Sequence, residues 1–291
     1  MCNDFLTNTE WVRIAPDKVV VATSDRVWLY RPNSKDSSDF LAQPRSGAGS
    51  VATTQKLLDT SIVLAKRAVL SSHHPPILSS TRWIWHLAGQ YHLTHSTPQL
   101  MEKTAQIFAA AGHESLSQWA KQKAIEECGH DRLALLDIQS LGYKAEAVVE
   151  VFVPPSAKVL LDYFTNSVQT SNPLNCIGYS YTMERLATAI DEEYIQAVEA
   201  LLPSGTNATR CLRVHSGIGS DMDHVEETVE LVANLTPDER TRVAIACYET
   251  ALLYFSSPQT NYPSDEELQQ ILRPLALHPH QQDECDRLVL R

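Results

Sequence analysis

The stretch AGHESLSQWAKQKAIEECGHDRLALLDIQSLGY, residues 111–143, decides how this chain is read. Gly112 ends one helical pattern, Glu114 opens the next and Gly142 closes it, so a single long helix is predicted over Glu114–Leu141. Inside it, Ile125-Glu126-Glu127-Cys128-Gly129-His130-Asp131 sets Glu127 three residues before His130. On a helix two such side chains differ by about 60° around the axis and lie one turn apart. A carboxylate and an imidazole placed this way can share one metal ion in the interior of a bundle. A solvated face with an incidental histidine has the same pattern, so the pair does not decide alone. Glu126 and Asp131 are expected to face solvent or to support the ligands from outside.

Outward from this stretch the pattern stays helical. Leu57, Leu58, Ile62, Ala65 and Val69 recur at three- and four-residue intervals and give one apolar face. Helices are predicted over Ser80–Leu93 and Pro98–Ala111, and after Pro154-Pro155-Ser156. Two more are predicted from Asn172-Pro173 to Leu202-Pro203 and from Thr206 to Leu235. Thr236-Pro237-Asp238-Glu239 and Ser264-Asp265-Glu266-Glu267 are capping boxes that start the last two. Eight or nine helices without an internal repeat predict an all-α bundle. Residues 51–291 form this helical domain.

Residues 1–50 differ. Trp11–Ile14, Val19–Ala22 and Val27–Tyr30 are short apolar runs separated by turn residues, which predicts a small β appendage lying on the main body. Pro32–Ser50, rich in Ser, Asp, Pro and Gly, reads as a linker. The tail after Pro279 is polar, with Leu288-Val289-Leu290 as a segment that could dock.

The chain has 291 residues, with 24 Lys+Arg against 35 Asp+Glu. That acidic excess argues against nucleic-acid binding, which needs a basic stripe. Its longest apolar run falls far short of the roughly 20 residues that span a bilayer, so no membrane association is expected. The start MCNDFLTNTE lacks the features of a signal peptide, and the six cysteines form no C-x-x-C pair. These features predict a cytoplasmic protein with reduced thiols.

Two further segments join the first. Glu184 stands isolated in the apolar and aromatic run Tyr179–Leu186, either as a ligand or in a salt bridge with Arg185 or another cation. Asp221 and His224 repeat the three-residue carboxylate–imidazole spacing, and His215 precedes them. Nine residues of ideal helix turn the direction by about 180°, so His215 would point away from His224. Gly217, Gly219 and Ser220 weaken the helix, and a local unwinding there would bring His215 back to the same side. Otherwise His215 supports the site from outside or packs in the core. Glu127, His130, Glu184, His215, Asp221 and His224 together form an imidazole–carboxylate set without thiolate, which suits iron or manganese better than structural zinc.

This set, in this order, resembles the haem-oxygenase-like diiron oxidases, also called iron-containing redox enzymes. Ala111-Gly112-His113 through Ile125–Leu133 to Asp137–Tyr143 resembles that family's Glu-Glu-x-Gly-His helix with its closing Leu-Gly turn. Glu184 sits where the family places a bridging Glu, and Asp221-Met222-Asp223-His224 resembles its last metal-binding helix. The resemblance covers about Thr53 to Ser256. It implies a seven-helix up-and-down core holding two Fe2+ per chain, with manganese as the alternative ion. It further implies O2 as cosubstrate and oxidation of a small amino-acid-like or fatty-acid-like molecule. The chain departs from the family in the six-residue step from His215 to Asp221. It also has Gln90–His95, with His92 and His95 but no acid, where some members carry a carboxylate.

Rival readings remain open. A metal-free enzyme of the same fold, thiaminase II-like or quinone-cofactor synthase-like, would need Cys128 or Cys176 as nucleophile if it followed the former. A non-catalytic helical interaction protein would turn the six polar residues toward solvent. Tyr179, Tyr181, Trp119 and Phe164 either line a pocket or pack the core. A homodimer is left open.

Overall fold

The computed structural model describes residues 9–32, 49–69, 76–218, 221–256 and 262–277, with the backbone alone for Asp221, Met222 and Asp223. Most of the Pro32–Ser50 linker, the tail after Pro279, Cys2 and Cys285 lie outside the described residues.

Three strands, β1 (Glu10–Ala15), β2 (Lys18–Ala22) and β3 (Val27–Tyr30), form an antiparallel meander in the order β1-β2-β3. Trp11 pairs with Val21, and Val21 with Trp28. The two-residue period sends Val12, Ile14, Val20 and Ala22 into the main helical core. Val19 and Val21 point the other way, beneath Trp11, Trp28 and Tyr30. A sheet this small gains stability by packing a hydrophobic face on helices, and here it lies on two.

Those helices are α1 (Val51–Val69), which packs on β2, and α12 (Pro237–Phe255), which packs on β1. Between them in sequence come α2 (Ser80–His95), α3 (Thr97–Ala110), α4 (Glu114–Glu126), α5 (His130–Ser140), α6 (Ala145–Val151) and α7 (Pro155–Val168). Then follow α8 (Asn175–Ala187), α9 (Glu192–Glu199), α10 (Arg210–Val214) and α11 (Asp221–Ala233), and α13 (Asp265–Leu272) comes after α12. Helix α12 packs against α1, α7 and α8. A second core of Trp83, Leu87, Ile138, Val148 and Leu268 joins α2, α5, α6 and α13. Both expected capping boxes are present: Thr236 and Ser264 accept from the Glu239 and Glu267 N–H groups, and those side chains return the bond.

Among the described residues there are thirteen helices, more than the eight or nine expected, because three predicted helices are each broken in two and α6 forms ahead of Pro154. The longest, Glu114–Leu141, stops at Glu126 and restarts at His130, with Gly129 at φ 89° in the joint. Only glycine takes that left-handed conformation at low cost. The stretch Asn172–Leu202 divides into α8 and α9, where the Asp191 side chain accepts from the Tyr194 N–H and starts a new helix. The segment Thr206–Leu235 divides into α10 and α11, as its glycines allow. Among the described residues no helix is long and apolar enough to cross a membrane.

Candidate metal centre

The α4–α5 break builds the first half of the site. Glu127 is the C-terminal cap of α4 and His130 the first residue of α5. The two were expected on one continuous helix. The tight turn brings them together instead, with Glu127 Oε2 3.1 Å from His130 Nδ1.

His215 supplies the other half from the end of α10. Two anchors hold its segment. At one end the fully buried Asp137 of α5 accepts from the N–H groups of Cys211 (3.0 Å) and Arg210 (3.2 Å) and from the Arg210 guanidinium (3.1 Å). Burial outweighs these partners and pushes the Asp137 carboxyl up to about 6. At the other end the Gly217 N–H donates to the Ile190 carbonyl at 3.0 Å, and a Cβ at Gly217 would come within 2.6 Å of the Thr188 carbonyl oxygen. Helix α10 therefore runs beside α5, and the His215 ring meets the His130 ring edge-on, 4.7 Å between centroids.

One ligand atom from each of Glu127, His130 and His215 lies within 4.8 Å of the other two. Atoms that share an ion at about 2.0–2.2 Å are themselves roughly 3–4 Å apart, so small side-chain rotations bring all three onto one centre. Burial alone would raise the Glu127 pKa, but the His130 hydrogen bond and the charges of His215, His130 and Lys123 hold it below the usual range. The residues fit a single divalent ion.

The remaining acids and imidazole gather around a lysine. Lys123 is 1% exposed, and its Nζ lies 3.0 Å from Glu184 Oε1 and 3.1 Å from Glu126 Oε2. His224 Nε2 is 3.5 Å from the same Glu126 oxygen. Burial would pull the Lys123 pKa down, but Glu184 and Glu126 raise it above its ordinary value, so it stays an ammonium. Glu184 also accepts from the Ser180 hydroxyl at 3.4 Å. Glu126, expected toward solvent, points inward because it shares the lysine. Arg185, the nearest cation to Glu184 in sequence, pairs with Asp59 at 2.9 Å. The Asp221 side chain lies outside the described residues.

Neither histidine of Gln90–His95 joins either cluster. His92 Nε2 lies 3.0 Å and 2.9 Å from the carbonyls of Val149 and Phe152. His95, half exposed, bonds Asp131 at 2.7 Å.

Glu127, Glu184 and His215 face a cavity of about 510 Å³, together with Tyr179, Met183 and Leu212. A second cavity of about 450 Å³, with Trp85, Phe255 and Tyr262 in its wall, shares His86, Gln90, Leu93 and Tyr254 with the first. His86 stacks on Trp83 at 5.0 Å and lies 3.4 Å from Gln90 Nε2. Burial drops its pKa to about 4, so its ring is neutral. Of the aromatics expected to line a pocket or pack the core, Tyr179 does both, lying 4.5 Å from the parallel Phe164 ring. Tyr181 donates to Asp59 and Trp119 to Thr228 inside the core. Sequence reasoning missed Lys123 and His86. Lys123 had a signal, since it shares a helical face with the buried Ala120 and Ala124.

No protein-family model matches the chain, and no curated protein does. Solved structures do. A domain of unknown function with a haem oxygenase-like fold from Shewanella denitrificans aligns over 76% of this chain and 88% of its own, at TM-score 0.52 and 22% identity. A TenA homolog from Pseudomonas syringae pv. tomato aligns over 73% of this chain and 96% of its own, at TM-score 0.53 and 14% identity. The fold is haem oxygenase-like.

Of the two cysteines nominated for a thiaminase-like reading, neither lines the larger cavity of this haem oxygenase-like bundle. Cys176 is buried under the Thr104 hydroxyl, and burial pushes its thiol up to about 12. A thiol so raised carries almost no thiolate at neutral pH. Cys128 is exposed in the α4–α5 joint. Cys211 lines the larger cavity, and its backbone N–H is held by Asp137.

Proposed function

We propose that this chain is an iron-dependent oxidase or oxygenase that uses O2 to oxidise a small organic molecule bound in the larger cavity. One observation carries the reading: a carboxylate and two imidazoles from three helix ends meet within 4.8 Å, with Glu127 and His215 on the cavity wall. Oxygen and imidazole donors without thiolate suit ferrous iron, with manganese next. Bound there, iron would supply the reduction of dioxygen.

The chain's own residues do the rest. Leu93, Met101, Met183, Leu186 and Leu212 give the cavity an apolar wall beside the ligands. The neutral His86, fixed by Trp83, offers a ring nitrogen that can bond a polar group of the substrate at the junction of the two cavities. An amphipathic amino-acid-like or fatty-acid-like molecule matches this apolar space with few polar groups. The thiaminase-like form of the metal-free reading gains less support, because burial raises the Cys176 thiol and neither Cys176 nor Cys128 lines the larger cavity.

The test is anaerobic loading with Fe2+, iron analysis per chain, then oxygen uptake in an electrode cell. Iron-dependent uptake that His130→Ala abolishes, with helical content unchanged, is the expected result. A wild-type protein that retains no iron refutes the reading.

A further inference from the structure

We propose that Lys123 is a built-in cation standing where a second metal ion would need to be, so that the chain binds one ion rather than two. The inference rests on reading Glu127, His130 and His215 as a metal site.

An ion bridging Glu126 and Glu184 would have to approach their oxygens to about 2.0–2.2 Å. The Lys123 nitrogen already lies 3.0 Å and 3.1 Å from those oxygens, so ion and ammonium compete for one position. Lys123 is 1% exposed, and Ala120 and Ala124 of the same helix are buried beside it, so the side chain has no solvated refuge. Two carboxylates in that interior require a positive charge, and the ammonium supplies it from within the chain. His224, through Glu126, completes this second cluster. The first cluster differs: it sets one carboxylate against two imidazoles rather than two carboxylates against an ammonium.

The test uses the full chain, dialysed anaerobically against Fe2+, or Co2+ as a coloured stand-in, with metal per chain counted by elemental analysis. Wild type is expected to saturate at one ion, Glu184→Gln also at one, and His130→Ala to bind at least tenfold more weakly. Lys123→Met, which removes the ammonium, is expected to take up a second ion on Glu126, Glu184 and His224. If that variant fails to fold, Lys123→Gln, which is neutral and one bond shorter but keeps N–H donors for the carboxylates, serves the same purpose. Two ions on wild type overturn the role of Lys123 and leave the metal site standing. A soluble Lys123 variant that stays at one ion, or loss of the single ion in Glu184→Gln, also overturns it. No ion on wild type at all defeats the underlying metal reading instead.

Discussion

The two acid–imidazole clusters are made of the same kinds of residue and differ in what balances their charge. Around Lys123 two carboxylates are neutralised from inside the chain by a buried ammonium. Around Glu127 one half-buried carboxylate faces two imidazoles and a cavity, a donor set that suits an external cation. Carboxylate and histidine in helical register therefore do not by themselves announce a metal. The decisive feature is an ammonium placed between two carboxylates, as Lys123 is between Glu126 and Glu184.

The largest expected effect breaks the comparison at the lysine. Lys123→Met in metal-free protein leaves two buried carboxylates without their ammonium and should cost about 3–5 kcal/mol. Thermal unfolding followed by circular dichroism should then shift down by roughly 6–20 °C. Adding Glu184→Gln should recover a large part of that loss; no recovery would mean that the lysine stabilises by packing alone.

Asp137→Asn tests the anchor of His215. It places an amide N–H against the Cys211 or Arg210 donors and should destabilise by about 1–3 kcal/mol, with weaker iron binding as the second readout. Its pH dependence has a definite sign. The folded protein holds the Asp137 proton more tightly than the unfolded chain, since burial raises its pKa from 3.8 to about 6. The stabilisation this provides is full below pH 3.8 and is lost as pH rises through about 6. The Asn variant should lack that part of the slope in denaturation measured from pH 3 to 7.

Gly129→Ala forces a side chain into the left-handed joint between Glu127 and His130, at about 1–2 kcal/mol. Iron affinity should fall with it, since both ligands flank the turn. The smallest effect sharpens the contrast between histidines. His95→Ala removes an exposed pair with Asp131 worth at most about 1 kcal/mol, and should leave iron content unchanged.

What the sequence revealed and what it hid follow from range. The capping boxes at Thr236 and Ser264 are closed within four residues, so the starts of α12 and α13 were readable. The strands Glu10–Ala15, Lys18–Ala22 and Val27–Tyr30 were readable from alternation and turn residues. The break after Glu126 was not, because one residue in a left-handed conformation decides it and charged residues on either side carry no periodicity. The loosening near Gly217 was visible, but not the Thr188 and Ile190 carbonyls that pin it. Glu184 showed its isolation but not its partner, since a contact between α4 and α8 leaves no local trace. Lysine is also rarely buried, which hid Lys123 in plain view among alanines.

All three residues of the first cluster stand at the ends of helices: Glu127 after α4, His130 opening α5 and His215 closing α10. Side chains at such joints can be re-aimed by a residue gained or lost in the connecting turn, while the packed rods keep their places. The chemistry of this scaffold is thereby separable from its architecture, and the length of the turn between Glu127 and His130 becomes an adjustable dial on what the centre can hold.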